Sequence, residues 1–143
     1  MMRVLGIDYG SERIGLAVSD PDGVLALPAG YLERTHRAAD LAALRDWASG
    51  REIEQIVIGL PLHMDGRSGR EAEAVLSFAE ELRAVTSLPI DTVDERWTSQ
   101  QAERDLRTVQ PKRSRKRTRG SKGQLDTAAA TLILRTWLER QNS

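Results

Sequence analysis

Residues 3–8 read Arg-Val-Leu-Gly-Ile-Asp, an almost unbroken apolar run that stops at an acid. Such a run has no polar face to offer water, so it predicts a central strand buried on both sides. The next twenty residues narrow the fold. After Tyr9-Gly10-Ser11 a second apolar run, residues 14–19, returns at hairpin distance. Pro21-Asp22-Gly23 makes a turn, and residues 24–27 are expected as a short third strand.

The pattern then changes period. Residues 36–48 repeat apolar positions at helical spacing, with Thr35 as the expected N-cap. Residues 56–60 (IVIGL) form another buried strand, ended by Pro61. A helix is predicted over about 70–85, with Ala74, Val75, Phe78 and Leu82 on its apolar side. Pro89 introduces a strand at 90–95, and Thr98-Ser99-Gln100-Gln101 is a capping-box pattern opening a helix to about 107. A last helix is expected over about 124–140. Three hairpin-linked strands followed by crossovers predict an α/β fold: a five-stranded mixed sheet with helices on both faces. We expect one domain over 1–143.

Charge is balanced, 21 basic residues against 21 acids, but unevenly spread. Residues 111–123 (PKRSRKRTRGSKG) hold seven basic residues and no acid, leaving 14 to face the 21 acids elsewhere. A concentrated basic segment on an acidic body points to a polyanionic partner, and a mobile basic loop is expected at about 109–123. There is no cysteine, which excludes disulfides and zinc–thiolate sites and makes the cytoplasm the default location. A metal would be held by oxygen, or by His36 and His63. No apolar run is long enough for a membrane span, and the N-terminus shows no signal-peptide pattern.

Three places carry candidate chemistry. On the last helix Asp126, Ala130, Ile133 and Trp137 fall within about 40° of one line, so Asp126 is expected at the centre of the apolar face. A carboxylate there needs a cation, a helix N-terminus or a metal; the plainer reading is a first-turn cap. Asp8 ends the first strand, where open α/β sheets place their sites; the plainer reading is a turn aspartate. In IDTVDE, alternation puts Asp91, Val93 and Glu95 on one face and Thr92 and Asp94 on the other, without saying which acid joins the cluster. Converging carboxylates repel one another unless a cation sits among them. Oxygen ligands favour a hard ion, magnesium or manganese, and two such ions could act on a phosphodiester.

The segments GIDYGSERIGLAVSD, VIGLPLHMDGRSG, VDERWTS and GSKGQLDTAAATLIL resemble the successive motifs of the YqgF family, in order and over almost the whole chain. That family is associated with Holliday junction resolution and with nucleolytic processing of pre-16S ribosomal RNA. The resemblance implies a ribonuclease H-like fold, whose strand order matches the one predicted from the hydrophobic pattern. It also implies that Asp8, Glu95 and Asp126 are the catalytic, metal-holding acids. Arg96 and Lys122 could each meet a phosphate or pair with a neighbouring acid. Arg113, Arg115, Lys116, Arg117 and Arg119 are expected nucleic-acid contacts. Glu12 stands where the family usually has lysine, and His63 where it usually has asparagine, making His63 a candidate substrate contact.

The function expected is therefore a hydrolase acting on ester bonds: a nuclease dependent on Mg2+ or Mn2+, cutting structured RNA or branched DNA. Its expected setting is a ribosomal precursor particle or a junction, as a monomer or weak homodimer and with no membrane partner. Two rivals belong to other classes. A non-catalytic ribosome-assembly or nucleic-acid-binding factor would suit the basic segment, but gains nothing from acids that repel phosphate. An actin-like nucleotide phosphohydrolase shares the fold, but normally needs two such domains.

Overall fold

A computed structural model of the chain describes residues 2–63, 65–67, 69–98 and 122–141. Five strands form one sheet: β1 (Val4–Tyr9), β2 (Arg13–Ser19), β3 (Ala26–Glu33), β4 (Gln55–Leu60) and β5 (Ile90–Asp94). Their order is β3-β2-β1-β4-β5, with β1–β2 and β2–β3 antiparallel and β1–β4 and β4–β5 parallel. The mixed sheet follows from chain length between strands. Two short turns permit only antiparallel neighbours, whereas the longer crossovers through α1 (Arg37–Gly50) and α2 (Arg70–Thr86) return the chain in parallel. The last helix, α3 (Lys122–Gln141), lies on the opposite face and touches all five strands.

The two faces bury different side chains. Against α1 and α2 the strands present Leu5, Ile7, Ile14, Leu16, Ile56 and Ile58, packed with Leu41, Leu44, Val75, Phe78 and Leu82. Against α3 they present Val4, Ala17, Val57 and Val93, packed with Ala130, Ile133, Leu134 and Leu138. Glycines complete the second face: a Cβ on Gly6 would fall 2.7 Å from Leu134 Cβ, and one on Gly15 would overlap the Asp126 carbonyl oxygen. The absent side chains let α3 lie directly on the sheet. Among the described residues, no helix is long and apolar enough to cross a membrane.

Several local expectations are corrected. The third strand is Ala26–Glu33 and not 24–27; Val24 and Leu25 are exposed in the turn before it. That turn is held by Asp20 Oδ1, which accepts from Val24 N (2.8 Å) and Leu25 N (3.0 Å). Pro28 and Gly30, residue types that weaken a strand, are tolerated because β3 is an edge strand with a bulge opposite Leu16 and Ala17. Gly30, at φ 92°, turns its amide to Thr127 Oγ1 (3.2 Å). His36, not Thr35, caps α1: its Nδ1 accepts from Ala39 N. Thr35 instead donates its amide to the buried carboxylate of Asp40 (3.0 Å). Glu95 lies outside the strand, because residues 95–98 are already helical. Thr98 is therefore not an N-cap; its hydroxyl donates to the Glu95 carbonyl (2.8 Å). The helix expected as far as 107 from residue 99 onward, and the basic segment with Arg113, Arg115, Lys116, Arg117 and Arg119, lie outside the described residues.

Candidate active site

The carboxyl ends of β1, β4 and β5 lie side by side, and past them opens a cleft of about 440 Å³. Strand alternation decides which side chains reach it. On β1, Val4, Gly6 and Asp8 share the α3 face, and Leu5, Ile7 and Tyr9 the other. Asp8 therefore emerges at the end of the strand beside Gly15, its antiparallel partner on β2. Because Gly15 has no side chain, α3 settles there with the Asp126 backbone against it. Gly59, at the corresponding end of β4, also leaves a space. A Cβ there would lie 2.5 Å from Ile133 Cδ1 and 2.7 Å from Glu95 Oε1. Two strand-end glycines thus make room for α3 and for the Glu95 carboxylate.

The resulting electrostatics are those of confined like charges. Asp8 is pushed up to about 6, first by burial and then by the charge of Asp126. Glu95 is pushed up to about 7, first by burial and then by Asp8, Glu71 and Asp94. Asp8 thus feels both other expected acids, although Asp126 is less enclosed than its helical position suggested. Its side chain is 26% exposed, and Arg13 Nη1 stands 3.9 Å from Oδ2. The expectation of Asp126 at the centre of the apolar face is corrected: it sits toward the open end of the α3 stripe, and Ala130, Ile133 and Leu134 occupy the closed part.

The neighbouring acids divide by partner. Asp94 lies in the fork of Arg96, whose Nε stands 2.9 Å from Oδ2, and this pairing holds its carboxyl below the usual range. Asp91 accepts from Trp137 Nε1 (3.1 Å). Both are occupied, while Glu95 faces the cleft. Arg96 makes an ion pair with a neighbouring acid, one of the two roles the sequence offered. Lys122 opens α3, and its side chain lies outside the described residues. His63 does not line the cleft: its ring packs on Gly69, where a Cβ would meet Nε2 at 2.5 Å. Glu12 pairs with Arg13 (3.5 Å), so the cation near Asp126 is supplied by Arg13.

Sequence reasoning missed two cleft residues, Glu71 and Arg34. Glu71, in the first turn of α2, adds a further negative charge facing Glu95. Arg34 follows the edge strand and reaches back over the turn after Asp8. Neither belongs to a pattern that spacing could reveal: Glu71 is remote in sequence from Glu95, and Arg34 is remote from the turn at Gly10 and Ser11.

The donor set fits a hard divalent cation: oxygen only, desolvated, and with proton affinities raised by mutual repulsion. Among the described residues no three histidine, aspartate or glutamate side chains stand as a ready-made metal cluster.

Comparison with known proteins agrees with this architecture. The profile of the family described as RuvX, Holliday junction resolvase, matches residues 2–140. The chain belongs to that family. It is 43% identical over 135 residues to a Picosynechococcus protein named "Putative pre-16S rRNA nuclease", covering 94% of this chain and 90% of that one. A protein of the same name from Maridesulfovibrio salexigens is 43% identical over 139 residues, covering 97% and 99%. Among solved structures, Thermus thermophilus RuvC in complex with a Holliday junction superposes with a TM-score of 0.66 at 13% identity, over 99% of this chain and 96% of that one. The fowlpox virus resolvase bound to junction DNA gives 0.59 at 7%, over 99% and 100%. At such identities these neighbours establish the fold, a RuvC-like member of the ribonuclease H-like class. RuvX membership places the chain in a family of nucleases, hydrolases of phosphodiester bonds.

Proposed function

We propose that this chain is a divalent-metal-dependent nuclease that cuts structured RNA, with the precursor of 16S ribosomal RNA as its substrate. The observation that carries this reading is the pair Asp8 and Glu95 at one open cleft, both with raised proton affinity, and Asp126 acting on the first of them. A cleft so negative cannot receive a phosphodiester unaided, whereas with Mg2+ or Mn2+ in it the same charges become an attraction. Asp8, Glu95 and Asp126 would hold the cation, and in our reading a second ion with it. When bound, such a cation stabilises the charge that gathers on a phosphodiester under attack. The chain's own part is to fix the acids on strand and helix ends and to orient the backbone of the substrate. Arg113, Arg115, Lys116, Arg117, Arg119 and Lys122 supply the phosphate contacts that the acidic body lacks, and Arg96 contributes less because Asp94 already engages it.

RNA is preferred over DNA junctions because the relatives at 43% identity carry the rRNA-processing name over nearly their full length. Cutting both strands of a junction symmetrically would need two sites, hence a dimer. In our reading the protein works as a monomer, one nuclease unit with an attached basic segment, on ribosomal precursors in the cytoplasm.

The test is a cleavage panel: 5′-extended 16S precursor fragments, unstructured RNA and four-way DNA junctions, each with Mg2+, Mn2+ or chelator. We expect cleavage of precursor RNA with either metal and none in chelator. Replacing Arg113, Arg115, Lys116, Arg117 and Arg119 with Gln should raise KM and flatten the log-affinity against log-salt slope by about 2–4 units. Cleavage that persists in chelator, or an inert panel with nucleotide hydrolysis in its place, would overturn the reading.

A further inference from the structure

Among the described residues that line the cleft, Arg34 is the one cation, and it is heavily engaged. Its Nη1 donates to the carbonyls of Gly10 (2.9 Å) and Ser11 (3.3 Å), and its Nη2 to the Tyr9 hydroxyl (2.8 Å). Its guanidinium also lies 4.4 Å from the centre of the Tyr9 ring, which stacks on Phe78 of α2 at 4.1 Å. The Arg34 amide donates to the Glu12 carbonyl (2.9 Å), so the backbone beneath the side chain is tied to the same turn. All these contacts converge on residues 9–12, the turn that directly follows Asp8.

That turn sets the Asp8 backbone. The Gly10 amide is shared between the carbonyls of Asp8 (3.1 Å) and Arg13 (3.0 Å), and a Cβ on Gly10 would fall 2.7 Å from Arg13 O. Two outward-facing carbonyls, those of Gly10 and Ser11, need a donor on the other side. One guanidinium carries several N–H donors in a rigid plane and can serve both while stacking on an aromatic ring; an ammonium has donors enough but neither the fixed fork nor the flat face.

We propose that Arg34 is a positioning residue for the Asp8 limb of the site. It fastens the turn from the α2 side of the sheet, so that Asp8 on the opposite side is held where Glu95 and Asp126 meet it. This inference rests on the nuclease reading for its kinetic consequence, but not for its structural one. Arg34 also faces Asp40, its Nε standing 3.8 Å from a carboxylate 5% exposed, so a merely structural role must be separated.

Two variants make the separation. Arg34→Lys keeps a cation beside Asp40 but loses the fork. We expect near-native thermal stability, KM within about twofold of wild type, and kcat lowered by about 10- to 100-fold, the scale of a small misplacement at a reacting centre. Arg34→Gln with Asp40→Asn removes the ion pair entirely; we expect stability to recover relative to Arg34→Gln alone, and kcat to stay low. Hydrogen exchange at the Gly10 amide, measured without substrate, should be faster in both. Native kcat in either variant would overturn the inference. So would a raised KM with unchanged kcat and a flatter salt slope, which would make Arg34 a phosphate contact. Unchanged Gly10 exchange would also overturn it, whether or not the protein cleaves RNA. A wild-type protein inert toward every substrate would defeat the nuclease reading alone.

Discussion

The two faces of the sheet are built to different rules. On the α1–α2 face, leucine, isoleucine and phenylalanine fill the space between layers, and the nearest polar chemistry is hydrogen bonding: Asp40 with Thr35, Arg34 with the turn at Gly10. On the α3 face, Gly6, Gly15, Ala17 and Gly59 have given up side-chain volume, and a single helix lies on the backbone itself. The first face gains stability from buried apolar area. The second buries less per residue but brings a helix residue, Asp126, to the charge range of a strand-end residue, Asp8. Close approach, more than core volume, is what assembles carboxylates from distant parts of the chain.

Restoring volume where it was given up should harm the α3 face in a way that no loss on the other face can. Gly15→Ala would set a methyl group into the Asp126 carbonyl, a backbone atom that cannot rotate aside. We expect a stability loss of about 3 kcal/mol, the upper end for overpacking, and cleavage reduced at least about 100-fold as α3 shifts. Leu44→Ala on the other face should destabilise by a similar amount, about 2–5 kcal/mol, because Leu44 is fully buried. Its kcat, corrected for folded fraction, should be unchanged. Denaturant melts with single-turnover assays on both variants decide the matter; equal catalytic losses would mean the faces do not divide the work.

A smaller effect separates the faces by pH. Asp8 and Glu95 bind protons more tightly folded than unfolded. Their contribution to stability is fully present below the unfolded pKa, about 4, and is lost as pH rises through about 6 to 7. Metal-free protein should therefore lose a few degrees of Tm between pH 5 and pH 8, on a scale of about 4 °C per kcal/mol. Asp8→Asn with Glu95→Gln should flatten that decline. A decline of equal size in the double variant would show that the strain lies elsewhere.

The sequence made some of this legible and hid the rest for physical reasons. β1 and β4 were readable because both faces are apolar, and α2 because Val75, Phe78 and Leu82 keep helical spacing. β3 was placed too early, at 24–27; its true span includes Pro28 and Gly30, residues that only the edge position and the bulge make acceptable. Alternation could not choose between Asp94 and Glu95, since the strand ends at Asp94 and the chain turns helical at the next residue. Family resemblance pointed to Glu95; the Arg96 fork on Asp94 gives a physical reason consistent with that choice. Gly15 and Gly59 read as ordinary strand glycines until α3 and Glu95 are seen above them.

We propose that Asp8, Glu95 and Asp126 together hold a divalent cation, and Mn2+ titration by calorimetry tests this without any substrate. The wild type should bind Mn2+ at pH 8, with affinity weakening as pH falls through 7 toward 6. Asp8→Asn, Glu95→Gln and Asp126→Asn should each lose at least about tenfold in affinity while remaining folded. Equal Mn2+ affinity in the wild type and the three folded variants would contradict it.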